Sequence, residues 1–169
     1  MMATIVMLIL VFVPMLLEAA WSRRNERRLR LAGAIEPPGD VHQLMQVAYP
    51  AGFLAIGAEG WLRASPLDAM FNAGLIVFVL AKAVKYWAIA SLGDRWSFRV
   101  LVLPHVPLVT GGPYRYMRHP NYVGVAGEFV GAALMAHAPL AGVVALVTFG
   151  ALMLARIRVE ERALDALAR

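Results

Sequence analysis

The strongest constraint on this chain is its division into five long apolar blocks, at about residues 2–21, 43–62, 67–92, 120–136 and 139–155. About 20 apolar residues, rising about 1.5 Å each as a helix, cross a hydrocarbon core roughly 30 Å thick. Lipid offers no partner for backbone amides, so a spanning block is expected to be a helix that bonds to itself. Composition agrees. Hydrophobic residues make up 60% of the 169 and charged residues 16%, against roughly half and about a quarter in ordinary soluble domains. The expected fold is all-α and polytopic, with about five transmembrane helices in a single membrane domain over residues 1–169.

The formal net charge of +5 raises nucleic acid as a partner, but the arginines cluster beside apolar blocks, where a topology signal explains them better. No nucleic-acid partner is expected; membrane lipids are. Arg23, Arg24, Arg27, Arg28 and Arg30 follow the first block instead of preceding it, unlike the charges of a cleaved signal peptide. The N-terminus is therefore expected outside and the C-terminus in the cytosol. Pro37 to Gly39 ends any helix begun in the basic stretch. Pro14 and Pro50 fall inside blocks, where neighbouring helices can satisfy the freed carbonyls. With no cysteine, disulfides, thiolate metal ligands and cysteine nucleophiles are excluded. His42, His105 and His137 read as isolated loop residues, and no metal is expected. Lys82, Lys85 and Glu128 fall inside apolar blocks. The two lysines share a helix face with Tyr86, and two readings stand open: they face a water-filled cavity, or they pair with an acid, for which Glu128 is the candidate.

Two polar islands interrupt the C-terminal half, GGPYRYMRHPNYVG at 111–124 and RIRVEE at 156–161. Only Ala136 to Pro139 link the last two blocks, so these form a tight antiparallel hairpin that returns both islands to one edge. Pro120 suits the first helical turn and leaves His119 and Asn121 at a positive helix end that favours an anionic group. Tyr114 and Tyr122 offer faces to a planar ring. From the returning helix, Glu160 offers a carboxylate to an amino group or to ribose hydroxyls, and Arg156 a planar fork to an anion. Arg156 and Glu160 share a helix face, and Glu161 is expected to point elsewhere. The plainer readings are that Arg118, Arg156 and Arg158 anchor topology, the tyrosines form an aromatic belt, Glu160 is an exposed partner of Arg156, and His119 caps the helix.

GPYRYMRHPNYVG followed after an apolar hairpin by RIRVEER resembles the isoprenylcysteine carboxyl methyltransferase family of integral membrane enzymes, most strongly from Trp96 to Leu164. RRNERRLRLAGAIEPPGDV, before the second block, is similar to bacterial members that O-methylate long-chain alkylresorcinols and alkylpyrones. The resemblance implies a bacterial inner-membrane enzyme. It implies S-adenosyl-L-methionine as methyl donor, held on the cytosolic side by residues 95–122 and 156–164. The positions matching the family's donor contacts are Val106, Pro107, Leu108 and Val109, then Tyr114, then His119, Pro120, Asn121 and Tyr122, with Glu160 from the last helix. Arg156 matches the substrate-orienting arginine, counted as both catalytic and substrate-binding. A donor-contacting glutamine of the eukaryotic pattern falls on Arg99, and His105 precedes Val106 instead of occupying it.

The expected chemistry is in-line methyl transfer, with nucleophile, methyl and sulfur held in line. A carboxylate acceptor is already ionised. A phenol, with a pKa near 10, needs a base or a cationic environment, and Glu128 is the candidate base on the strength of its intramembrane charge. The acceptor is expected to be hydrophobic and lipid-tailed. A long-chain alkylresorcinol or alkylpyrone is favoured over an isoprenylcysteine carboxylate, with phospholipid amines behind both. From another class, a non-catalytic membrane subunit or small transporter would account for Lys82, Lys85 and Glu128. Nothing in the sequence sets an oligomeric state.

Overall fold

The computed structural model describes residues 1–104 and 106–167; His105 lies outside them. Among the described residues five helices make the fold: α1 (Met2–Leu31), α2 (His42–Leu62), α3 (Ala69–Leu92), α4 (Pro120–Met135) and α5 (Pro139–Leu167). Short 3₁₀ turns follow α3 at Gly93–Arg95 and precede α4 at Gly112–Arg115. Among the described residues extended pairing is limited to one isolated bridge, Ile35 with Val102. Three helical stretches are long and apolar enough to cross a membrane: Met2–Leu31, Ala69–Arg95 and Pro139–Leu164. Outward-facing Ile9 and Leu16 on α1, Leu80 on α3 and Val144 on α5 are all more than half exposed, as suits side chains facing lipid rather than water.

α1 and α5 run past the ends expected at 21 and 155. The arginine-rich stretch after Trp21 is built from good helix formers, and the inward face simply continues: Glu18, Ser22, Asn25 and Leu29 recur at helical spacing and are all buried. Asn25 fastens that extension by donating from Nδ2 to the carbonyls of Gly93 (3.1 Å) and Trp96 (2.8 Å). Both Pro14 and Pro50 lie in helices that continue past them.

The tightest packing joins α3 to α4. A Cβ on Gly131 would sit 2.7 Å from the Phe78 nitrogen, and one on Gly74 2.5 Å from the Met135 nitrogen. Side chains at these positions would force the antiparallel backbones apart, so the small residues permit the approach. The α4–α5 turn belongs to a compact end of the bundle, where Ser65 Oγ donates to the Ala136 carbonyl at 2.5 Å and Glu59 accepts from the Ala141 amide at 2.6 Å. The basic linker, the 93–119 segment, the start of α4 and the far part of α5 assemble at the opposite end.

Four charged side chains knit the helices together inside the bundle. Glu18 of α1 lies 2.8 Å from Lys82 Nζ and 2.6 Å from Lys85 Nζ; Glu128 Oε1 of α4 lies 3.1 and 3.2 Å from the same two ammoniums. The Tyr49 hydroxyl of α2 donates to Glu128 Oε2 and accepts from Lys85 at 3.3 Å. Two acids and two lysines cancel in charge. The pairing reading of Lys82 and Lys85 with Glu128 is therefore the one seen, completed by Glu18 from α1. Glu128, the candidate general base, has its carboxylate held by two ammoniums and a phenol, and it does not line the cleft described next.

Candidate active site

The polar end of the bundle encloses a cleft of about 1030 Å³. Its walls come from all five helices and the segment between α3 and α4. One part is polar, with Arg156, Glu160, Glu161, His119, Asn121 and Tyr122; another is apolar, with Met15, Met45, Pro50 and Phe149. Tyr49 and Lys85 bring the buried charge cluster to the wall.

Pro120 starts α4 as its first residue, is buried behind the cleft and does not line it. The next residues do. Asn121 lines the cleft with its Oδ1 buried and without a hydrogen-bond partner. Tyr122 donates from its hydroxyl to Glu160 Oε2 at 3.3 Å, and its ring lies 5.5 Å from that of His119. His119 makes no side-chain cap on α4. Its imidazole faces α5, with Nδ1 3.9 Å from Glu160 and Nε2 3.4 Å from Glu161. Glu161 thus does not point elsewhere. The α5 axis runs close enough to the α4 start for adjacent residues to reach the same imidazole, and Glu161 also lies 3.5 Å from Arg118 Nη1. Tyr114 lines the same wall; burial and then the Glu160 carboxylate push its phenol above the ordinary value, so it stays protonated at neutral pH.

Val106, Pro107, Leu108 and Val109 form the rim. The first three are exposed and Val109 is half-buried, and all four border the cleft. Arg95 ties this strap down by donating to the Pro107 carbonyl at 2.7 Å. Burial separates the basic residues of the last helix: Arg156 is 7% exposed, whereas Arg158 projects outward like a topology anchor. A snorkelling residue would not bury its guanidinium.

Ser22, Glu26 and Asp40 are not candidates on sequence grounds, yet they lie in or behind the cleft wall, as do Arg99 and His42. Ser22 donates to Glu26 at 2.7 Å, and Arg99 reaches Glu36 at 2.6 Å and Glu26 at 3.6 Å. Burial opposes ionisation of Glu36, but hydrogen bonds from Arg30 and Arg99 win and hold its carboxyl below the usual range. His42, at the first turn of α2, is buried in the cleft wall instead of lying in an open loop. Asp40 lies 3.4 Å from Arg156. The one local signal was an aspartate two residues ahead of a helix, a turn-forming arrangement, which here lets Asp40 accept from the His42 amide at 3.1 Å.

The model of the isoprenylcysteine carboxyl methyltransferase (ICMT) family matches residues 74–166, more than half of the chain. The chain belongs to this family. The ICMT family is one of methyltransferases, and its match takes in α4, most of α5 and the strap between α3 and α4. Family membership and the three long apolar helices together make the chain an integral membrane protein. Among its relatives, the uncharacterized protein YpbQ of Bacillus subtilis is 32% identical over 88% of each chain. An uncharacterized protein of Haemophilus influenzae is 26% identical over 86% of each. Protein-S-isoprenylcysteine O-methyltransferase A of Arabidopsis thaliana is 33% identical over 53% of this chain and 47% of its own. No solved structure matches the chain.

Proposed function

We propose that this protein is an S-adenosylmethionine-dependent O-methyltransferase acting on a lipid-tailed acceptor, with its cleft at the cytosolic face of the membrane and five helices spanning it. The observation that carries this reading is the buried, unpartnered Asn121 Oδ1, in a cleft also lined by Glu160 and by a buried guanidinium. An orphaned acceptor of this kind is costly unless a ligand satisfies it.

The residues fit the donor. Asn121 and Glu160 would accept from its amino groups and ribose hydroxyls, the first turn of α4 would receive its carboxylate, and Tyr122 and His119 would flank its adenine. When bound, S-adenosylmethionine supplies an electrophilic methyl group on a positively charged sulfur. The chain's own work is to orient and to exclude water. Arg156 holds the acceptor head group by its free N–H donors, while the apolar wall of Met15, Met45 and Phe149 takes the tail.

Two head groups compete. A long-chain phenol or hydroxypyrone is our favoured acceptor. An isoprenylcysteine carboxylate is favoured by the family's name and by the likeness to the Arabidopsis enzyme over about half its length. A hydroxyl acceptor needs a base, and we assign this to His42 in place of Glu128. Burial, then the neighbouring Arg99 and Arg156, lower the basicity of His42 against the opposing pull of Asp40 and Glu26. With its pKa below 6.5, the imidazole is uncharged at neutral pH and can take a proton. Transfer to a hydroxyl acceptor should then persist at pH 6.5 and fall as pH drops through the lowered pKa. A rate profile in which His42→Gln keeps the same acid limb would remove His42 as base. Stability should follow the same sign: below about 6.5 the unfolded chain binds the proton first, so the fold weakens until the folded-state pKa is passed.

The central test is calorimetry of the detergent-purified protein with S-adenosylmethionine, followed by labelled-methyl transfer to a long-chain resorcinol and to a farnesylcysteine analogue. Donor binding with label on either acceptor is the expected result. Absence of donor binding would sink the enzyme reading, and label on the farnesylcysteine analogue alone would replace the favoured acceptor.

A further inference from the structure

Asp40 sits in the linker between α1 and α2, outside the residues matched by the family model, and its side chain is 5% exposed. Three separate parts of the chain converge on it. Oδ1 accepts from the His42 amide at 3.1 Å and faces Arg156 Nη1 at 3.4 Å, while Oδ2 accepts from the Val100 amide at 3.1 Å. It does not line the cleft, whereas Arg156 does. The other nearby guanidinium, Arg99, has its own acids in Glu36 and Glu26, so Asp40 is left to Arg156. Both members of the pair are buried, at 8% and 5% side-chain exposure. Burial of this kind weakens the screening of a charge that a ligand would add.

We propose that Asp40 is a positioning residue that partly neutralises Arg156 and so tunes the acceptor end of the cleft toward hydroxyl head groups and against carboxylates. This rests on the reading of Arg156 as the acceptor-holding group. A carboxylate entering beside Arg156 brings a second anion to a guanidinium already engaged by one, and with Glu160 a helical turn away. Juxtaposed like charges are the usual device for rejecting a wrong partner. A hydroxyl brings no such charge and uses the N–H donors that Asp40 leaves free. Two backbone amides hold Asp40 itself, so Arg156 Nη1 faces an anion at a fixed position.

The test uses the full chain in nanodiscs with S-adenosylhomocysteine present, and two probes with one tail, 4-dodecylphenol and 4-dodecylbenzoate. Calorimetry gives the ratio of the benzoate Kd to the phenol Kd, a quantity independent of the folded fraction. Asp40→Asn should lower this ratio about tenfold or more, Asp40→Glu should keep it near wild type, and Arg156→Gln should raise it. A purely structural role for Asp40 would weaken both probes alike. An unchanged ratio in Asp40→Asn, or no binding of either probe by any of the four proteins, overturns the proposal. Wild-type binding of S-adenosylmethionine, measured alongside, reports separately on the donor reading.

Discussion

Lys85→Met should destabilise the protein by about 3–5 kcal/mol, the range for breaking a buried ion pair from one side. Lys85 is 2% exposed and lies within 2.6 Å of Glu18 and 3.2 Å of Glu128. Methionine fills the stem but leaves two carboxylates with only Lys82 between them, an uncompensated negative charge in the bundle. The cost comes from the orphaned charge rather than from lost packing, and a second substitution separates the two. Lys85→Met with Glu128→Gln leaves the neutral pair Glu18–Lys82, which should recover most of the loss. Unfolding in mixed micelles, followed by helix content, gives the three stabilities. A double variant no more stable than the single one would mean that charge balance is not what the cluster supplies. The same cycle bears on the transporter reading, since a cluster needed for the fold has a structural reason to be charged.

Glu160→Ala should weaken S-adenosylmethionine binding by about 30-fold or more, corresponding to about 2 kcal/mol, within the range for losing a hydrogen bond to a charged group. Glu160 is one turn beyond the buried Arg156, its carboxylate accepts from Tyr122 at 3.3 Å, and it lines the same cleft as Asn121. Glu161 serves as the internal comparison. It is about as exposed as Glu160, at 40% against 34%, but it reaches the exposed Arg118 and the His119 imidazole instead of Tyr122. Its loss should cost no more than about 1 kcal/mol, as for surface pairs. Equal effects at the two positions in calorimetry would mean that the carboxylates merely set a local charge. A selective loss at Glu160 would identify it as the donor contact.

Much of the architecture was legible in the chain. Apolar blocks mark helices because lipid permits little else, and the Ala136–Pro139 link is too short for anything but a hairpin. Pro120 marked the start of α4 for a local reason, its fixed backbone angle and missing N–H. Where the reading fell short, the missing information was not local. α1 was ended at Trp21 because arginines look like loop, yet Ser22, Asn25 and Leu29 continue a buried face whose partners lie some 70 residues further on. Glu161 was turned away from the site on an ideal helical wheel, which ignores how near the α4 start lies to α5. Glu18 was passed over because its lysine partners come from another helix.

By itself, then, the sequence determined a helical membrane protein whose last two helices return two polar islands to one end. Hydropathy, proline and link length act over short stretches and can be read there. Only the tertiary structure decided which charges meet: Glu18 and Glu128 with Lys82 and Lys85, Glu160 and Glu161 with His119, and Asp40 with Arg156. Those pairings depend on the rotation of each helix about its axis and on the path of the 32–41 linker. Both are set by packing against distant partners, which no local pattern encodes.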